Sequence, residues 1–244
     1  MTRAGLDAHV IVDLSAPFQQ ALDSVLGRLG ARADLVGILF FGSAARGDAR
    51  AGSDLDLYAI TAHEAHGHLG DVIGDVPVEV SFGSLAQMAE QVRQERPAVV
   101  HAFATGRLLL DHTDGALALL CREARSLWER GPSPLAPSAA LRFRFHLTDL
   151  VRDLETMPER SAATALVGSR CVQHALEALC AAECVWMSSM RDVLGVLDSR
   201  YPDVTAIVRR CADSGFPASF AVEVADRVLS RFGGRLSSYD TSGT

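Results

Sequence analysis

Apolar residues Phe18, Leu22, Val25, Leu26 and Leu29 recur at three- and four-residue spacing. That rhythm predicts an amphipathic helix, with Asp13 or Ser15 as its start signal and Gly30 as its stop. Leu35 to Phe41 is a short apolar run broken only by Gly37 and bounded by Asp34 and Gly42, too short for a buried helix and therefore a central strand. A helical turn is expected over 44–47, a polar loop over 48–53 and a second strand over 54–60. In Val76-Pro77-Val78-Glu79-Val80-Ser81-Phe82, Val78, Val80 and Phe82 alternate with Glu79 and Ser81, the signature of a strand with one face in the core. Leu85 to Glu95 reads as a helix ended by Pro97, and Leu108 to Leu110 as a last short strand before the Asp114-Gly115 turn.

Past Gly115 the two-residue rhythm stops. Leu117 to Glu129 is helical, and the proline-rich run from Gly131 to Pro137 is the expected boundary. Helical periodicity returns over 139–156, 162–184, 190–198, 204–213 and 217–232. The expected class is α+β, an N-terminal mixed sheet with flanking helices laid on one side, followed by a C-terminal helical bundle. Domains are expected over residues 1–130 and 138–233, with a flexible Ser/Gly/Thr-rich tail over 234–244.

Composition narrows the chemistry. All 23 basic residues are arginine, against 30 acids, for a net charge of −7. A lysine Schiff base and a P-loop lysine are thereby excluded, and an acidic chain is a poor tracker of long nucleic acid. Five cysteines form no CxxC pair and read as buried free thiols. The start shows no signal pattern and no stretch reaches membrane-spanning length, so the expected location is the cytoplasm, away from membranes.

The candidate chemistry sits between the first two strands. Asp54 and Asp56 are two residues apart on a strand, so they share a face while Leu55 and Leu57 take the other. Their Cβ atoms should lie about 6.6 Å apart, a spacing that can bracket one or two divalent cations. Glu79 projects from a neighbouring strand. Two carboxylates this close repel unless a hard cation such as Mg2+ joins them, and such a cation also grips phosphate oxygens. Gly42 admits a phosphate without a Cβ clash, Ser43 and nearby N–H groups can donate to it, and Arg46 offers a forked donor.

Gly42-Ser43, with Arg46 and Gly47, then Ser53-Asp54-Leu55-Asp56-Leu57, then Glu79 resembles the nucleotidyltransferase superfamily of polymerase-beta-like fold, in its small bacterial branch of aminoglycoside and lincosamide nucleotidyltransferases. The resemblance covers about residues 14–112; the second half is similar to the family's helical domain only in type, through the weaker pattern Trp186, Arg191 and Leu194. It implies catalytic and metal-binding roles for Asp54, Asp56 and Glu79, and nucleotide-binding roles for Gly42, Ser43, Arg46 and Ser53. It implies Mg2+ as cofactor, an NTP, with ATP expected, as donor, and a hydroxyl-bearing small molecule as acceptor, with antibiotic resistance as a possible role. Glu79 is left as either a metal ligand or the base for the acceptor hydroxyl. The alternatives are AMPylation of a protein partner, as in toxin–antitoxin pairs, and a nucleotide-binding regulator without turnover.

Other motifs carry less. His63-Glu64-Ala65-His66-Gly67-His68 lacks the helical two-histidine spacing of a zinc protease and reads as a solvated loop. Arg170 to His174 is one residue short of the arginine-to-histidine motif of helical-bundle RNases. Cys180 and Cys184 continue the apolar row of Val172 and Leu176 as core thiols.

Overall fold

The computed structural model describes residues 14–187 and 189–238, and the chain divides into two compact units, Met1–Arg130 and Gly131–Thr244. In the first unit, α1 (Ala16–Leu29) follows Ser15, with Pro17 in its first turn, where a missing N–H costs nothing. Then come β1 (Leu35–Phe41), the short α2 (Gly42–Arg46), β2 (Leu55–Thr61), β3 (Gly67–Ile73) and β4 (Val76–Ser84). The unit closes with α3 (Leu85–Arg93), α4 (Pro97–Thr105), β5 (Arg107–Asp111) and α5 (Ala116–Arg130). The five strands lie in the order β3-β4-β2-β1-β5. β2 and β4 run parallel and the other neighbours antiparallel, so the sheet is mixed.

Three features depart from the periodicity reading. Helices flank both faces of the sheet rather than one. Ile38, Phe40, Leu55 and Leu57 pack with Ala21, Leu22, Val25 and Leu29 of α1. Leu39 and Ile60, one residue out of phase, pack with Met88, Val92, Phe103 and Leu117 of the α3–α5 layer. Second, β3 occupies 67–73, so the histidine-rich stretch expected to be all loop ends in a strand. β3 is an edge strand with an exposed, glycine-containing sequence, and the apolar alternation of a half-buried strand is absent from it. Third, Pro97 opens α4 instead of only closing α3; its fixed φ suits a first helical turn. α3 itself begins with a capping box, Ser84 accepting from the Gln87 N–H while the Gln87 side chain accepts from the Ser84 N–H.

The second unit is helical: α6 (Pro137–Thr156), α7 (Ala162–Ala182), α8 (Met190–Asp198), α9 (Pro202–Asp213) and α10 (Ala218–Leu229), with a 3-10 turn over Ser230–Phe232. Ser161 caps α7 by accepting from the Thr164 N–H. Leu147, Val151, Leu154, Cys171, Leu179, Leu197, Cys211 and Val224 belong to one core. The expected flexible tail is tied down over its described part. Arg144 donates to the carbonyls of Gly233 and Gly234 at 2.7 and 2.5 Å, and the Leu236 N–H donates to Thr148. Arg235 pairs with both Asp226 and Glu155. The remainder of the tail, 239–244, lies outside the described residues, as does Asp13, one of the two start signals read for the first helix.

Cys121, Cys171, Cys180 and Cys211 are buried and free. Burial pushes Cys171 up to about 12 and the other three to about 11, so none is a ready nucleophile. Cys184 is only half-buried. Among the described residues, no helix is long and apolar enough to cross a membrane.

Candidate functional site

β1 ends in the first unit's core, and the chain must turn sharply to leave it. Phe41 is extended, and Gly42 takes φ +79°, a left-handed conformation that favours glycine. A Cβ on Gly42 would sit 2.1 Å from Oδ2 of Asp56, so glycine also makes room for that carboxylate. Gly47, at φ 84°, ends α2 in the left-handed region, and the Asp48 N–H bonds back to the Ser43 carbonyl at 3.1 Å. The loop before β2 is closed by two bonds. The Ser53 N–H donates to the Arg50 carbonyl and the Arg50 N–H to the Ser53 hydroxyl, both at 2.9 Å. This fixes the chain at Asp54, one residue ahead of β2.

Strand pairing then gathers the acids. Leu55 and Leu57 are fully buried, which commits Asp56 to the opposite face. The parallel register sets Asp56 directly beside Glu79. Asp54, Asp56 and Glu79 each offer one carboxylate oxygen, all within 4.8 Å of one another. Burial, reinforced by the charges of Asp54 and Glu79, pushes Asp56 up to about 7, while Arg46 pulls the other way. Such a site disfavours its own full ionisation. An all-oxygen set of three acids fits a hard divalent cation, whose charge would reverse that penalty. Along the same face as Asp56, Phe41 stacks on Tyr58 at 4.8 Å between ring centroids, and Tyr58 meets Phe103 at 5.5 Å. Burial and then the Asp56 charge raise the Tyr58 phenol above its usual range.

Gly42, Ser43 and Arg46, expected to bind nucleotide, all lie on α2, whose first residue stands next to the Asp56 carboxylate. The Arg46 guanidinium stands 3.4 Å from Asp48 and remains about one-third exposed. The Ser53 hydroxyl accepts from the Arg50 N–H in the loop that precedes Asp54. The histidine-rich segment splits. His66 contacts Gln87 at 3.1 Å beside a cavity of about 370 Å³ that includes Phe82 and Met88, whereas His68, on β3, turns to Ser81 and Glu79. His68 was missed because β3 was missed. The Gly74-Asp75 pair between Ile73 and Val76 is a two-residue hairpin signal that could have revealed both. In the second unit, His174 bonds Glu177 at 3.2 Å and packs on Phe143, and Trp186 is buried. Among the described residues, Asp54, Asp56 and Glu79 form the one cluster of three such groups able to hold a metal.

No protein-family model matches this sequence, and no curated protein matches it. A solved structure of a nucleotidyltransferase-like protein from Exiguobacterium sibiricum 255-15 aligns with 88% of this chain and 75% of that chain. Its TM-score is 0.43 and its identity 14%.

Proposed function

We propose that the chain is a Mg2+-dependent nucleotidyltransferase that moves a nucleoside monophosphate from an NTP, with ATP the expected donor, to a hydroxyl of a small molecule such as an aminoglycoside or lincosamide. The observation that carries this reading is the convergence of Asp54, Asp56 and Glu79 within 4.8 Å beside the glycine-led turn at the end of β1. When bound, the cation would neutralise the acids and the triphosphate and stabilise the charge that leaves with pyrophosphate. The chain's own groups do the positioning. N–H groups of the first turn of α2 have no intrahelical partners, so with the Ser43 hydroxyl they are available to phosphate oxygens. Arg46 supplies a charged fork to the same oxygens. Glu79, on the strand beside Asp56, would complete the ligand set or accept the proton of the acceptor hydroxyl as its oxygen bonds to the α-phosphorus and pyrophosphate departs. No covalent intermediate on the protein is required.

Pyrophosphate release tests the reading, measured with Mg2+, each NTP and a panel of aminoglycosides, lincosamides and protein acceptors. At least one small acceptor should support release, and Asp54→Asn or Asp56→Asn should each reduce it by about 100-fold or more while the circular dichroism spectrum stays unchanged. Transfer retained by both variants refutes the metal assignment. Label from ATP entering protein instead of small molecules would favour AMPylation, and nucleotide binding without release for any acceptor would favour a regulator.

A further inference from the structure

We propose that His68 is a positioning residue for Glu79, holding that carboxylate toward the two aspartates; the proposal rests on the metal-site reading above. β3 pairs with β4 so that His68 stands directly opposite Ser81 and Gly70 directly opposite Glu79. Residues two apart share a face, so His68, Ser81 and Glu79 lie on one side of the sheet. Gly70 presents no side chain to Glu79, and a Cβ there would meet nothing within 4 Å. The space beside the carboxylate is therefore open to the diagonal neighbour, His68. The imidazole is held at one end and faces the carboxylate with the other. Nδ1 lies 3.2 Å from the Ser81 hydroxyl and Nε2 lies 3.8 Å from Oε2 of Glu79. In the tautomer whose Nδ1 accepts from the Ser81 hydroxyl, the ring N–H is on Nε2, the nitrogen that faces the carboxylate. A shift of about 1 Å closes that gap to a hydrogen bond.

Stability is a poor explanation for this arrangement. Both side chains are 53% exposed, and a pair so open to water contributes little to folding. Glu79 is also the most exposed of the three acids, and its reach toward Asp56 depends on which rotamer it holds. An oriented donor beside a ligating carboxylate fixes that rotamer, the role that outer partners play in metal sites.

The test is Mn2+ affinity, read from the electron paramagnetic resonance of the free ion, on the full chain and the variants His68→Ala, His68→Gln, Ser81→Ala and Asp56→Asn. His68→Ala should weaken binding about 10-fold. His68→Gln, which keeps an N–H donor, should recover most of that loss, and Ser81→Ala should fall between wild type and His68→Ala. Thermal midpoints of the His68 variants should match wild type. Wild-type affinity in His68→Ala, with binding lost in Asp56→Asn, overturns the role of His68 and leaves the metal site standing. Equal losses in His68→Ala and His68→Gln overturn the donor role. A wild-type chain that binds no Mn2+ overturns the metal site and this proposal with it.

Discussion

Asp56 concentrates the chemistry of the site in one side chain. Its carboxyl is raised to about 7 by burial and by the two neighbouring acids, whereas in the unfolded chain it ionises near 4, as an ordinary aspartate does. Between those values the folded state holds one more proton than the unfolded state, so metal-free stability falls as pH rises from about 4 through about 7 and then levels. The acids with depressed values, among them Asp34, Asp71, Asp111 and Asp198, act in the opposite sense and below this window. Asp56→Asn should therefore flatten the fall in thermal midpoint between pH 5 and 8 in metal-free buffer. Cation affinity of the wild type should rise over the same interval, because binding expels that proton. Identical pH profiles for wild type and Asp56→Asn would contradict the assignment.

At the level of elements, the site is held by pairing register and by the helical layer that packs farther along the same sheet face. Phe103 of α4 is fully buried and supports Tyr58, which in turn supports Phe41 at the turn into α2. Phe103→Ala should cost about 3–5 kcal/mol in urea unfolding, as expected for an emptied aromatic core position; a cost under about 1 kcal/mol would deny the second helical layer its structural part. That layer was hard to read from sequence. Strands β2 and β4 announce themselves because Leu55, Leu57, Val78 and Val80 are buried on a two-residue period. The same pattern exposed the acids, since Asp54, Asp56 and Glu79 fall on the polar phase. β1, however, buries consecutive residues on both faces, and a continuous apolar run does not say how many helical layers cover it. β3 defeats periodicity for another reason, since its apolar residues Leu69, Val72 and Ile73 do not alternate and its other positions are glycine or polar. His68 was lost with it.

For the whole molecule, the question is whether two strands, one turn and three acids make a cation site in the intact chain. The second unit, α6 to α10, has its own core and its own anchored C-terminal segment, so changes to the acids should leave its helices intact. The most direct measurement is calorimetric titration of the full-length chain with Mn2+ at pH 8, repeated on the Asp54→Asn, Asp56→Asn double variant. The account predicts saturable binding to the wild type that is abolished in the double variant, whose circular dichroism is unchanged. Absence of binding in the wild type, or equal binding in the variant, would contradict it.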